Sequence, residues 1–319
     1  MKDGKHLLIF NDGFKPEDIA DLTHPGIEIT WVTQGTREQL LELIPEADAY
    51  LCSLRLRVDQ ELLDRAPRLR LVSTNSTGTD HLDLELLQRR GITVLSNKHD
   101  RTMLDQITTT AELAFGLLLT CARHLPECFE ASRRGRWERH RLAGHQMSGK
   151  TLGIIGVGRL GNIMSQYGRA FRMRVLGCDP NLSAMPEGVE KVDLPTILRE
   201  ADFISVHVHP SADARQLLGP EELAQIKSGA SLINTSRGSL IDEAALIREM
   251  KSGRIAAAGL DVIDGEWLED KFNHPLIAYS RENPRLYITP HVGGTSPEAT
   301  RLTVRHTFQK LVGFLAAGF

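Results

Sequence analysis

The segment Leu152-Gly153-Ile154-Ile155 runs directly into Gly156-Val157-Gly158-Arg159-Leu160-Gly161, and a helix-compatible stretch follows to about residue 171. An apolar run of strand length, three glycines at fixed spacing and a helical continuation admit few folds. The first glycine permits a tight turn, the second lets another group approach the backbone, and the third lets the helix pack closely on the strand. The pattern predicts a strand, turn and helix of a parallel sheet.

The same rhythm extends in both directions. Upstream, strands are predicted at 5–10, 27–32, 49–52, 69–73 and 93–95. Helical patterns fill the gaps, one starting with Thr36, carrying Leu40, Leu41 and Ile44 on one face and ending before Pro45, another running from Asp59 through Leu62 and Leu63. Downstream, strands at 173–178, 203–207, 231–235, 256–262 and 286–289 join the one at 151–156 to make six, the complement of a doubly wound sheet. Between the two series lies a long apolar helix over 108–124, expected to link domains and to join copies of the chain. Ser296-Pro297-Glu298 reads as an N-cap with proline at the first helical position, opening a C-terminal helix whose place the pattern leaves open. Alternating strands and helices predict an α/β protein, and 319 residues exceed what one core usually fills, so two domains are expected.

Charge and composition exclude several classes. A net charge of -3 supplies no basic field for nucleic acid. The densest basic run, Arg133 to Arg141, includes Glu138 and reads as a solvated helix end. Within the first ten residues the only uninterrupted apolar run is Leu7 to Phe10, too short for a signal segment or a membrane span, so the cytoplasm is the expected location. Cys52, Cys121, Cys128 and Cys178 lack paired Cys-x-x-Cys spacing, which predicts reduced thiols and neither metal nor disulfide.

Glycines opening a helix after a strand make an anion site, where the helix N-terminus supplies N–H groups and a positive dipole. Asp179 ends the next strand, eighteen residues after Gly161, where a carboxylate accepts hydrogen bonds from ribose hydroxyls. Pro180 and Asn181 follow it rather than an arginine, which predicts NAD over NADP. Gly156, Gly158 and Gly161 with the backbone of Arg159 and Leu160 would hold the pyrophosphate.

Three residues downstream carry the candidate chemistry: Arg237 in Asn234-Thr235-Ser236-Arg237-Gly238, Glu266 in Asp264-Gly265-Glu266, and His291 in Thr289-Pro290-His291. A 2-oxo acid presents a carboxylate, a carbon that receives hydride and an oxygen that must gain a proton. Arginine binds the carboxylate or polarises the carbonyl through paired N–H donors. An imidazole exchanges protons near neutral pH, and a carboxylate on its other nitrogen fixes the tautomer and favours the imidazolium.

The chain resembles the D-2-hydroxyacid dehydrogenases, a family that includes phosphoglycerate, glycerate and formate dehydrogenases. The resemblance rests on Ser76 to Asp83, Gly135-Arg136-Trp137, Gly149 to Gly156, Asn234 to Asp242, Gly259 to Val262 and Thr289 to Gly294, and it covers nearly the whole length. It implies that Arg237, Glu266 and His291 are the catalytic residues, with His291 the proton donor. It implies that Ser76, Thr77 and Gly78 bind the substrate carboxylate, the last two through backbone amides, together with Arg237 and His291. Asp261 would hydrogen-bond the nicotinamide carboxamide, and His207, Thr235, Gly293 and Gly294 would lie along the cofactor. The implied architecture is a flavodoxin-like substrate domain, residues 1–103 and 296–319, with an NAD-binding Rossmann domain, residues 104–295, inserted in it, and a homodimer formed through the cofactor domain. No regulatory domain is expected after the returning helix.

Departures from the family pattern bear on the substrate. Trp267 follows Glu266 where proline is common, and His207-Val208-His209-Pro210 carries a second histidine without an assigned role. Arg55 and Arg57 are candidates for a substrate phosphate. The expected activity is NAD-dependent interconversion of a small 2-oxo acid and its D-2-hydroxy acid. A second reading is an NAD(H)-sensing, corepressor-like binding protein on the same fold, and a third keeps catalysis but takes an inorganic or one-carbon acid.

Overall fold

The computed structural model describes residues 4–11, 13–208, 215–266 and 270–317; His209, Pro210 and Trp267 lie outside them. Two compact units are present, one formed by Met1–Ile107 with Thr295–Phe319 and the other by Thr108–Gly294.

The first unit holds five strands, β1 (Lys5–Phe10), β2 (Ile27–Val32), β3 (Ala49–Cys52), β4 (Leu71–Thr74) and β5 (Thr93–Leu95), in the order β2-β1-β3-β4-β5. All pairings are parallel, in the order typical of flavodoxin-like sheets. Side chains of a strand alternate faces, so a parallel sheet covered on both sides must be apolar throughout. Accordingly Leu8, Phe10, Tyr50, Cys52 and Val72 pack with Leu40, Leu62, Leu63 and Leu87 of the crossover helices. Leu7, Ile9, Ala49, Leu51 and Leu71 face the other way, against Phe14, Ile19 and the C-terminal helix Pro297–Ala317 through Val304, Phe308, Leu311 and Leu315. That packing gives the C-terminal helix the place its sequence pattern left open. Ser296 caps it by accepting from the Ala299 amide, and the Thr36 and Asp59 side chains cap their helices likewise.

The second unit holds β6 (Thr151–Ile155), β7 (Arg174–Cys178), β8 (Glu190–Lys191), β9 (Phe203–Val206), β10 (Ala230–Asn234), β11 (Ile255–Leu260) and β12 (Leu286–Ile288), in the order β12-β11-β10-β9-β6-β7-β8. This is a doubly wound parallel sheet whose strand order reverses on either side of β6. It has seven strands where six were predicted. The extra one, β8, is two exposed charged residues paired to Leu176 and Gly177 at the sheet edge, and it leaves no apolar signature in the sequence.

The apolar helix Thr109–Arg123 packs on one face of this sheet with Leu152, Ile154, Val175, Phe203 and Ile233. Its approach to β11 is close, since a Cβ on Gly259 would stand 2.8 Å from that of Leu117. Among the described residues no helix is long and apolar enough to cross a membrane, and no cluster of three or more His, Cys, Asp or Glu could hold a metal.

Phe308 is fully buried between the C-terminal helix and the first sheet. Phe308→Ala should cost about 3 to 5 kcal/mol, read as a lowered urea midpoint by circular dichroism. A midpoint unchanged from the parent would contradict this packing.

Candidate active site

The glycine loop follows β6, and each glycine answers a different demand. Gly156 has φ +86°, and a Cβ there would stand 2.6 Å from the His207 carbonyl oxygen. At Gly161 it would stand 2.0 Å from the oxygen of Gly156. Both positions are closed by backbone, so only glycine fits. At Gly158, the N-cap of the helix Arg159–Ala170, a Cβ would meet nothing within 4 Å among the described residues, and the first-turn amides of that helix have no acceptor within it. A helix start with unpaired first-turn amides and room at its N-cap position suits a pyrophosphate.

Asp179 lies just past the end of β7, beside this loop. Its carboxylate accepts from the Val157 amide at 3.0 Å and from the Asn181 amide at 3.0 Å, which fixes its orientation. His207 extends β9, donating its amide to Ile155 O at 2.7 Å. Its Nε2 shares a hydrogen bond of 2.8 Å with Ser205 Oγ, while Nδ1 is buried without a partner among the described residues. Part of the residue faces solvent, yet burial of the ring pushes its pKa down to about 4. Thr235 is buried just past β10, its hydroxyl likewise without a described partner.

Arg237, Glu266 and His291 leave the carboxyl ends of β10, β11 and β12, three neighbours in the sheet. This is where open α/β sheets bind ligands. Asn234 shapes the first turn: its Oδ1 accepts from the Ser236 amide at 2.9 Å and its Nδ2 donates to Arg237 O at 2.8 Å. Ser236 Oγ donates to Val206 O, and Arg237 Nη1 donates to Ser236 O. Gly238 then passes so close to the second turn that a Cβ would stand 2.0 Å from the carbonyl carbon of Ile263 and 2.1 Å from the Asp264 nitrogen. The arginine turn and the glutamate turn are thus in backbone contact.

The third turn depends on Asp261, which is 1% exposed. Its carboxylate accepts from Thr289 Oγ1 at 2.5 Å, the Val292 amide at 2.9 Å and the Gly293 amide at 2.7 Å, and its carbonyl accepts from the His291 amide at 2.9 Å. These bonds hold His291 at φ +55°, a left-handed conformation that costs a non-glycine residue about 1 to 2 kcal/mol. Gly293 is needed because a Cβ would stand 2.8 Å from Asp261 Oδ2, whereas Gly294 faces open space.

The outcome of this backbone arrangement is a hydrogen bond of 2.7 Å between His291 Nδ1 and Glu266 Oε1. Glu266 Oε2 is buried and has no partner among the described residues. In the first unit, Ser76, Thr77 and Gly78 follow β4 in a turn closed by a hydrogen bond from Ser76 Oγ to Gly78 O. Arg55 and Arg57 are exposed, and the carbonyl of Arg57 accepts from Arg37. Asn234 and Gly238 belong to the segment that carries the resemblance, but the sequence assigns neither a part in the site. Their signal was an Asx residue four positions before a glycine, with nothing in the sequence to show that a second turn abuts it.

Residues 115–293 match the profile of the D-isomer specific 2-hydroxyacid dehydrogenase NAD binding domain. The hydroxypyruvate reductase of Thermotoga maritima is 34% identical over 265 residues, 83% of this chain and 84% of that protein. A D-3-phosphoglycerate dehydrogenase of Mycobacterium bovis is 35% identical over 296 residues, 92% of this chain but 54% of that protein, so the chain spans about half of that relative's length. Among solved structures, the TT0316 protein from Thermus thermophilus superposes with a TM-score of 0.85 at 31% identity, covering 98% of this chain and 97% of that one.

Because the His207 pKa falls from 6.5 to about 4 on folding, the unfolded chain takes up a proton below pH 6.5 that the folded chain refuses. Its contribution to stability therefore falls as pH drops from 6.5 towards 4 and is constant above that window. The slope attributable to His207 should approach about 1.4 kcal/mol per pH unit. Urea midpoints of the parent and His207→Asn across this window should diverge; parallel curves would contradict a buried neutral imidazole.

Proposed function

The chain belongs to the D-isomer specific 2-hydroxyacid dehydrogenases, a family of NAD-binding oxidoreductases, and from that premise we propose that it interconverts a small 2-oxo acid and its D-2-hydroxy acid with His291 as proton donor. The observation that carries the proposal is the 2.7 Å hydrogen bond between His291 Nδ1 and Glu266 at the carboxyl end of the sheet. Nδ1–H donating to a carboxylate leaves Nε2 to carry the proton that moves. In the reductive direction that proton goes to the carbonyl oxygen of the substrate, and Glu266 stabilises the imidazolium before transfer. Arg237 binds the substrate carboxylate or polarises the carbonyl through its paired N–H donors.

Nicotinamide, when bound, supplies the hydride to C2 or takes it back. Gly156, Gly158, Arg159, Leu160 and Gly161 would hold its pyrophosphate. Asp179 would accept from the adenosine ribose, where a 2'-phosphate would meet like charge, so NADH is preferred over NADPH. His207, Thr235, Asp261, Gly293 and Gly294 complete the proposed cofactor contacts, and the amides of Thr77 and Gly78 are proposed to bind the substrate carboxylate. A three-carbon acid such as hydroxypyruvate suits the relative from Thermotoga maritima and leads the proposed substrates. We further propose a cytoplasmic homodimer. Phe129 is 59% exposed and Trp137 is 83% exposed in the second unit, and pairing of copies there would remove them from water.

His291→Asn should lower kcat for hydroxypyruvate reduction by about 10²- to 10⁴-fold. NADH affinity, followed by fluorescence titration, should stay close to that of the parent. Turnover unaffected by the substitution would refute the assignment of the proton donor, and turnover with NADPH equal to that with NADH would refute the role of Asp179.

A further inference from the structure

The turn that carries Glu266 is gripped at one residue by two side chains from elsewhere in the second unit. The Asp264 amide donates to Glu243 Oε1 at 2.7 Å, and the Asp264 carbonyl accepts from His274 Nε2 at 2.9 Å. His274 Nε2 also lies 3.3 Å from Glu243 Oε2, so the two grips are themselves joined. Glu243 opens the helix Glu243–Lys251, and His274 caps the helix Pro275–Glu282, where its Nδ1 accepts from the Leu276 amide. That acceptance leaves Nε2 as the protonated nitrogen, the one the Asp264 carbonyl requires. From the remaining side, Gly238 closes on the Asp264 nitrogen.

This arrangement is costly as a mere loop anchor. The Glu243 and His274 side chains keep only 16% and 11% of their exposure, and burial pushes the Glu243 carboxyl above its ordinary range. A buried polar pair of this kind gains little over well-packed apolar residues in stability alone. What it provides is geometry. Asp264 is two residues before Glu266, and among the described residues the Glu266 carboxylate has one hydrogen-bond partner, His291. The aim of that carboxylate is therefore set by its backbone, and the backbone is set at Asp264.

We propose that Glu243 and His274 are positioning residues for the reaction, holding the Asp264 backbone so that Glu266 meets His291 Nδ1. The inference rests on the roles proposed above for Glu266 and His291. Neither Glu243 nor His274 touches substrate or cofactor in this scheme; both act through the glutamate turn.

A double-mutant cycle tests it, with kcat for 2-oxo acid reduction and the NADH dissociation constant measured side by side. Glu243→Ala should lower kcat by about 10- to 100-fold, as expected when a catalytic group is displaced by a fraction of an ångström, with NADH affinity within about threefold of the parent. In a Glu266→Gln background the same substitution should cost less than about twofold more, because the group it positions is already disabled. His274→Gln, whose amide nitrogen can still donate to the Asp264 carbonyl, should retain more activity than His274→Ala. If Glu243→Ala does not fold, the two His274 variants in both backgrounds answer the same question. Parent-like kcat in Glu243→Ala, or an equal loss in the Glu266→Gln background, would overturn the positioning role. Full activity in Glu266→Gln alone would take down the role of Glu266 itself, and this inference with it, before any second substitution is made.

Discussion

The buried carboxylate of Asp261 is the constraint from which the rest of the site follows. It accepts three hydrogen bonds from the segment Thr289 to Gly293, and the backbone that results stands the His291 imidazole in a left-handed bend that no unsupported histidine would hold. Because Asp261 itself follows β11, this clamp ties the turn after β12 to the strand beside it. The turn after β10 is tied to the turn after β11 by the close passage of Gly238. The three candidate catalytic side chains therefore stand on turns that brace one another, which is how a sheet edge made of loops acquires the rigidity that proton transfer requires.

Glycines divide along the same logic. Gly156, Gly161 and Gly238 are each explained by protein backbone pressing where a Cβ would be. Gly158 is not, since among the described residues nothing stands within 4 Å of a Cβ there. In a loop whose other two glycines answer to an internal contact, the position that answers to none is the one suited to face a ligand.

Much of this was legible beforehand because it is written in local patterns. The strands β1 to β5 and the glycine loop after β6 announce themselves by apolar runs and by residues with particular backbone tolerances, as do the helix starts at Thr36 and Asp59 and the cap at Ser296. The parts that escaped are those made by distant partners. Glu243 reads as an ordinary acidic residue at a helix start and His274 as an ordinary residue before proline; only the fold brings them to one residue of the glutamate turn. The clamp formed by Asp261 is hidden in the same way, because its donors lie 28 to 32 residues on. Strand β8 escaped for the opposite reason: an edge pair of charged residues buries nothing and so leaves no apolar trace.

The first unit is discontinuous, and this dictates an order of completion. As the chain leaves the ribosome, β1 to β5 appear ahead of residues 108–294, with Leu7, Ile9, Ala49, Leu51 and Leu71 turned towards a face whose cover, the helix Pro297–Ala317, is made after them. All of residues 108–294 emerge in between, and that unit is contiguous, able to close its own core while the first waits. Of the two units, the one whose synthesis starts earlier is thus the one that closes later, and a chain stalled before Pro297 leaves that apolar face without its helical cover.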